Sequence, residues 1–199
     1  MSASIDRASQ YETPSSQEPS PQKPASFNST IRRIVSGNNE KLNGSTVTET
    51  AIPFEETGFW GMSQACLWKT TETPSNDTNI PSNTDGAART GGRMVGYVCS
   101  RGTNFFIQDF APEAVVPMHC SHTVDYFLMI SGTMISVTEQ GDEFIAKAGD
   151  VVVRQGNMHG WRNPGPEWAR WVAVILDANP AIREGKSLNE GMKETALEG

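Results

Sequence analysis

Histidine is scarce in this 199-residue chain: there are three, and His119, His122 and His159 all fall within the two short stretches 117–132 and 149–165. Chemistry that needs imidazole, whether metal ligation or proton transfer near neutral pH, is therefore confined to those stretches. Cysteine is equally rare. Cys66, Cys99 and Cys120 are odd in number and widely spaced, which argues against a disulfide framework and a zinc knuckle and leaves three reduced thiols. No apolar run approaches the roughly 18 residues of a membrane helix, so no membrane partner is expected. Basic residues fall short of acidic ones, 16 against 23, for a net charge of -7. That balance opposes a phosphate-tracking surface and hence a nucleic-acid partner. The first residues, MSASIDRASQYETPSSQEPSPQKPAS, lack the apolar segment of a secretory signal and carry acidic residues that transit peptides avoid, so the expected address is the cytoplasm.

What remains is a composition of 37% hydrophobic and 20% charged residues, suited to one soluble globular domain. Residues 1–29 are rich in Ser, Pro and Gln with few bulky apolar groups, and read as a flexible tail. From residue 30 to 180, runs of β-branched and aromatic residues (STVTETAI, QACLWKTT, TNFFIQDF, VDYFLMIS, TMISVTE, DVVVRQ, RWVAVILD) alternate with turn residues. Short strands at such spacing predict an all-β sandwich or barrel. The polar, Pro- and Gly-broken segment 71–92 reads as a long loop, whose role as a lid is left open. Residues 181–199 form a C-terminal extension with a short helix or none.

Strand alternation sorts the candidate site. In PMHCSHTVDYFLMISG (117–132), His119 and Ser121 share a face, whereas His122 points away unless a turn has begun. Beyond that turn Asp125, Phe127 and Met129 share a face. A carboxylate inside the apolar run VDYFLMI needs a partner, a proton or a metal, because burying it unpaired costs several kcal/mol; the rival role is capping the turn at 121–123. In GDVVVRQGNMHGWRNPG (149–165), His159, Trp161 and Asn163 share a parity. Each histidine alone reads equally well as a core residue bonded to a carbonyl. Cys120 alternates to the face opposite His119 and reads as buried and inert. Arg154 is either a solvated edge charge, the favoured reading, or a clamp for a substrate carboxylate.

These two stretches resemble the two motifs of the cupin superfamily. Gly132 lies seven residues after Asp125, Gly149-Asp150 opens the second stretch, and Asn163 lies four after His159. The resemblance covers roughly 95–178. The resemblance extends from residue 31, because small single-domain fungal cupins begin with a strand similar to IRRIVSG. It implies a jelly-roll β-barrel with its site inside. The chain departs from the pattern where Ser121 stands for a second histidine, Asp125 for glutamate and Gln155 for proline. His119, Asp125 and His159 remain, a two-histidine, one-carboxylate set of the kind that holds a divalent metal (Fe, Mn, Zn or Ni). Without metal, the histidines would act as general acid and base with Asp125 fixing a tautomer.

The resemblance further implies a tailoring enzyme of secondary metabolism. The expected reaction is decarboxylation, dehydration or isomerisation of a polyketide-like or aromatic substrate, with His119, Asp125 and His159 catalytic. Ser121, Phe127, Met129, Arg154 and Trp161 are the expected substrate contacts. A metal-dependent dioxygenase and a non-catalytic binding protein are the alternatives, and a homodimer through the amino-terminal strands is expected by analogy.

Overall fold

The computed structural model of the chain describes residues 27, 29–81, 83–89, 94–95, 97–187 and 191–192. The tail expected at 1–29 lies outside them except for Phe27 and Ser29. The described residues form strands, with no α-helix and a single 3-10 turn at Asp77–Asn79.

The chain opens with an antiparallel hairpin of β1 (Thr30–Asn38) and β2 (Ser45–Pro53). Next come β3 (Glu55–Glu56), β4 (Met62–Thr70), the two-residue pair β5 (Met94–Val95) and β6 (Val98–Cys99), and β7 (Thr103–Phe110). The two motif stretches then supply β8 (Val115–Cys120), β9 (Thr123–Ser131), β10 (Thr133–Thr138), β11 (Glu143–Lys147), β12 (Val151–Gln155) and β13 (His159–Arg162). The chain continues through β14 (Ala169–Asp177), β15 (Ile182–Arg183), β16 (Lys186–Ser187) and β17 (Gly191–Met192). Two antiparallel sheets result: a six-stranded one in the order β12-β9-β14-β7-β4-β3, and a five-stranded one in the order β11-β10-β13-β8-β17. They form a jelly-roll barrel, the closed arrangement expected of many short alternating strands.

Alternation places the inward residues. On β9, Thr123, Asp125, Phe127 and Met129 are buried while Tyr126, Leu128 and Ile130 are exposed. Of these, Phe127 and Met129 join Phe106 and Phe110 of β7, Trp161 of β13 and Trp171 and Ala173 of β14 in the main core. Gly132 turns β9 into β10 at φ +71°, where an added Cβ would stand 2.5 Å from the Trp168 carbonyl oxygen; only glycine fits both demands. The hairpin packs Ile31 and Ile52 on the outside of the barrel, against Ala65, Leu67 and Ile107.

The described part of the 71–92 loop lies on that outer side. Asp77 accepts from the Trp68 indole, Arg89 pairs with Asp77 at 2.8 Å, and Asp85 pairs with Arg33 at 2.7 Å. At the carboxyl end, Gly191 and Met192 pair with Cys120 and His119, so this part of the extension adds an edge strand to the barrel. The described residues after 180 contain no helix.

Candidate functional site

Three strands bring the expected residues to one cavity of about 350 Å³ inside the barrel. β8 carries His119 and β13 carries His159, which are register partners across the five-stranded sheet. Their rings stand 4.2 Å apart, centroid to centroid, at 52°. Asp125 enters from β9 of the opposite sheet. The rest of the wall is mainly apolar, with Phe106, Phe127, Trp161, Trp171 and Ile175 among its members.

Each imidazole is oriented by the carbonyl two residues before it. His119 Nδ1 lies 2.8 Å from the Pro117 oxygen, and His159 Nδ1 lies 2.8 Å from the Asn157 oxygen. A carbonyl only accepts, so each Nδ1 bears the proton, and each neutral ring keeps its Nε2 lone pair for the cavity. These carbonyls set the tautomers, the role the sequence assigned to Asp125.

Burial shapes the charge states. The His119 pKa is lowered, first by desolvation and then by the positive charge of Arg154, against the opposing Pro117 hydrogen bond. His159 is pushed down to about 3 by desolvation, Arg154 and His119. Both rings are neutral at pH 7. Asp125, 3% exposed, is pushed up to about 6 by desolvation, with the Thr123 hydrogen bond and the Arg154 charge opposing. Its Oδ1 has no hydrogen-bond partner, so this oxygen is held in readiness for a proton or a ligand group.

The expected metal triad can be tested against this geometry. Two imidazole Nε2 atoms suit a divalent ion, but no group of three His, Cys, Asp or Glu side chains converges as a ligand set among the described residues. Asp125 faces the histidines from the other sheet, beside Thr123 and Arg154. The three residues share a cavity, but as arranged they do not furnish a three-donor metal centre.

Of the expected substrate contacts, Ser121, Phe127 and Trp161 line the cavity. Met129 does not: it is 2% exposed and belongs to the packed core. Arg154 departs from both readings of the sequence, since it is neither a solvated charge nor part of the cavity wall. It is 4% exposed, donates to Ser136 and Asn157, and lies 4.9 Å over the Trp161 ring. Cys120 is buried as expected, yet it also lines the cavity, and its thiol donates to the Gly156 carbonyl. His122 sits in the bend between β8 and β9, away from the wall. The motif residue Asn163 is structural, its amide donating to the carbonyls of Phe110, Ala111 and Glu167.

The sequence reading missed Gln108, Tyr97, Val98, Phe59 and Met62 on the wall. Gln108 was detectable: it is a polar residue in the apolar run FFIQDF, the same signal that singled out Asp125. It is buried and accepts from the Trp171 indole at 2.8 Å.

A two-sheet β-barrel with paired histidines inside defines a class, and residues 106–175 match the Cupin_2 family, described as a cupin domain. Over these residues the chain is similar to the cupin family, and over about half its length or less it is similar to fungal proteins of secondary-metabolite clusters. It is 35% identical over 105 residues to "Oryzines biosynthesis cluster protein J" of Aspergillus oryzae, covering 52% of this chain and 53% of that protein. It is 34% identical over 77 residues to "Cupin-domain-containing oxidoreductase virC" of Hypocrea virens, covering 37% and 40%. The chain thus spans about half the length, or less, of these curated relatives. Among solved structures, the "Schizosaccharomyces pombe Cnp3 Cupin Domain" aligns with a TM-score of 0.46 at 14% identity, over 76% of this chain and 89% of that one.

Proposed function

We propose that the chain is a tailoring enzyme of secondary metabolism that moves protons on an apolar, enolisable small molecule held in the barrel, in an isomerisation, dehydration or decarboxylation. The observation that carries this reading is the pair of imidazoles, each with Nδ1 bound to a carbonyl and Nε2 left to an apolar cavity. The relatives of biosynthesis clusters support the metabolic setting.

In this reading the apolar walls bind the carbon skeleton and exclude water, which strengthens every polar contact inside. The His119 Nε2 takes a proton from carbon α to a carbonyl. Asp125, still protonated in good part near pH 6, gives its proton to the carbonyl oxygen. The enol then returns its hydroxyl proton to Asp125 while His119 delivers a proton to the α-carbon, or to the γ-carbon where the enol is conjugated, and the carbonyl is restored. The low proton affinity of His159 keeps that ring neutral beside the reaction, where it orients the substrate as an acceptor.

A second reading, oxidoreductase chemistry, is favoured by the name of the Hypocrea virens relative and would require a redox-active group. The test of the first is solvent exchange into 2-tetralone, an apolar bicyclic ketone, in D2O. Chelator-dialysed full-length protein is expected to accelerate α-deuteration, and His119→Ala to abolish the acceleration. Exchange at the buffer rate with wild type, or acceleration dependent on added metal, would overturn it.

A further inference from the structure

Arg154 is a buried cation whose use the proton-transfer scheme does not explain. Its fork is divided between two neutral side chains, NH1 donating to Asn157 Oδ1 at 3.2 Å and NH2 to Ser136 Oγ at 2.8 Å. Both contacts bracket His159. The Asn157 backbone carbonyl accepts from His159 Nδ1 at 2.8 Å, and Ser136 Oγ donates to the carbonyl of Gly160 at 3.4 Å. The guanidinium is fixed in turn by stacking 4.9 Å over Trp161 and 6.0 Å from Phe144. Its register partner Asp125 offers it a charge but no hydrogen bond, so both groups its fork grips are neutral, and for packing alone an apolar residue would serve better. The turn it grips also needs Gly156, at φ +60° and with its would-be Cβ 3.0 Å from the Ser121 carbonyl oxygen. The turn is thereby seated against the strand connection that follows His119.

We infer that Arg154 is a positioning residue: by tying Asn157 on one side and Ser136 on the other, it holds the Asn157 carbonyl on His159 Nδ1 and so dedicates His159 Nε2 to the cavity. The catalytic consequence rests on the proposed proton transfer, whereas the effect on the ring does not. His119, whose Nδ1 is held by the Pro117 carbonyl, lies outside this linkage.

The chain's three histidines make the test readable in long-range 1H–15N correlation spectra of the 15N-labelled full chain at pH 7.5. Asn157→Ala removes an exposed side chain and keeps the fold. The ratio of Nδ1–H to Nε2–H forms at His159 is expected to fall roughly fivefold, as for the weakening of one neutral hydrogen bond, with His119 unchanged. Arg154→Met is expected to shift His159 further, and Arg154→Lys to restore part of the ratio. An unchanged His159 ratio in folded Asn157→Ala protein, or equal shifts at His119 and His159, would overturn the assignment. Failure of wild type to exchange 2-tetralone would count against the proposed function alone, because the tautomer ratio is read without substrate.

Discussion

Replacing Asp125 by Asn should make the protein more stable at pH 8 and leave its stability nearly unchanged at pH 4. Asp125 is buried, its Oδ1 has no partner, and its pKa is raised from 3.8 to about 6, mainly by desolvation. The folded state therefore binds more protons than the unfolded state between those values, so stability falls as pH rises through that window. The full contribution is present below about 3.8 and is lost above about 6. At 1.36 kcal/mol per pKa unit the loss is about 3 kcal/mol. Asparagine keeps the shape and an acceptor for Thr123 but carries no charge. Urea unfolding should show a midpoint higher than wild type by roughly 1 M at pH 8, and the two curves should converge at pH 4. A variant less stable than wild type at pH 8, or a gain of equal size at both pH values, would refute the claim that the desolvation of Asp125 outweighs its Thr123 hydrogen bond and the Arg154 charge.

Other outcomes follow from the same geometry. His159→Ala should lower proton exchange into 2-tetralone by at least about tenfold through lost substrate orientation, with His122→Ala within about twofold of wild type, because only the first removes a cavity side chain. Asp109→Ala should destabilise the fold by about 3–5 kcal/mol in chemical denaturation, since it strips a fully buried carboxylate from its two-pronged bond to Arg170, a side chain 12% exposed. Protein that resists denaturant as wild type does would show that this pair contributes little.

Strands were legible in the sequence because inward and outward residues alternate. The run VDYFLMI buries Asp125, Phe127 and Met129 on the parity read from the sequence, and the two histidine stretches meet as adjacent strands. Three features were not legible. β12 inverts the usual pattern: Val151 and Val153 are 67% and 57% exposed while Arg154 is buried, so a rule that turns charge outward misplaces the arginine. That Asp125 enters the cavity from the sheet facing the histidines depends on which sheet each strand joins, a long-range pairing that local periodicity does not encode. Met129 shares the parity of Asp125 but lies farther along β9, where the barrel is packed solid rather than hollow. Departures from the two-motif pattern, Ser121 above all, signalled an altered site without showing that backbone carbonyls orient both rings.

The most direct measurement of the central claim is the protonation pattern of the imidazoles in unmodified full-length protein, read at pH 7 from 15N shifts of the ring nitrogens. His119 and His159 should both be neutral with the proton on Nδ1, and the addition of an apolar ketone should perturb their Nε2 signals while leaving His122 in place. A proton on Nε2 of either ring, or a charged ring at that pH, would contradict the account.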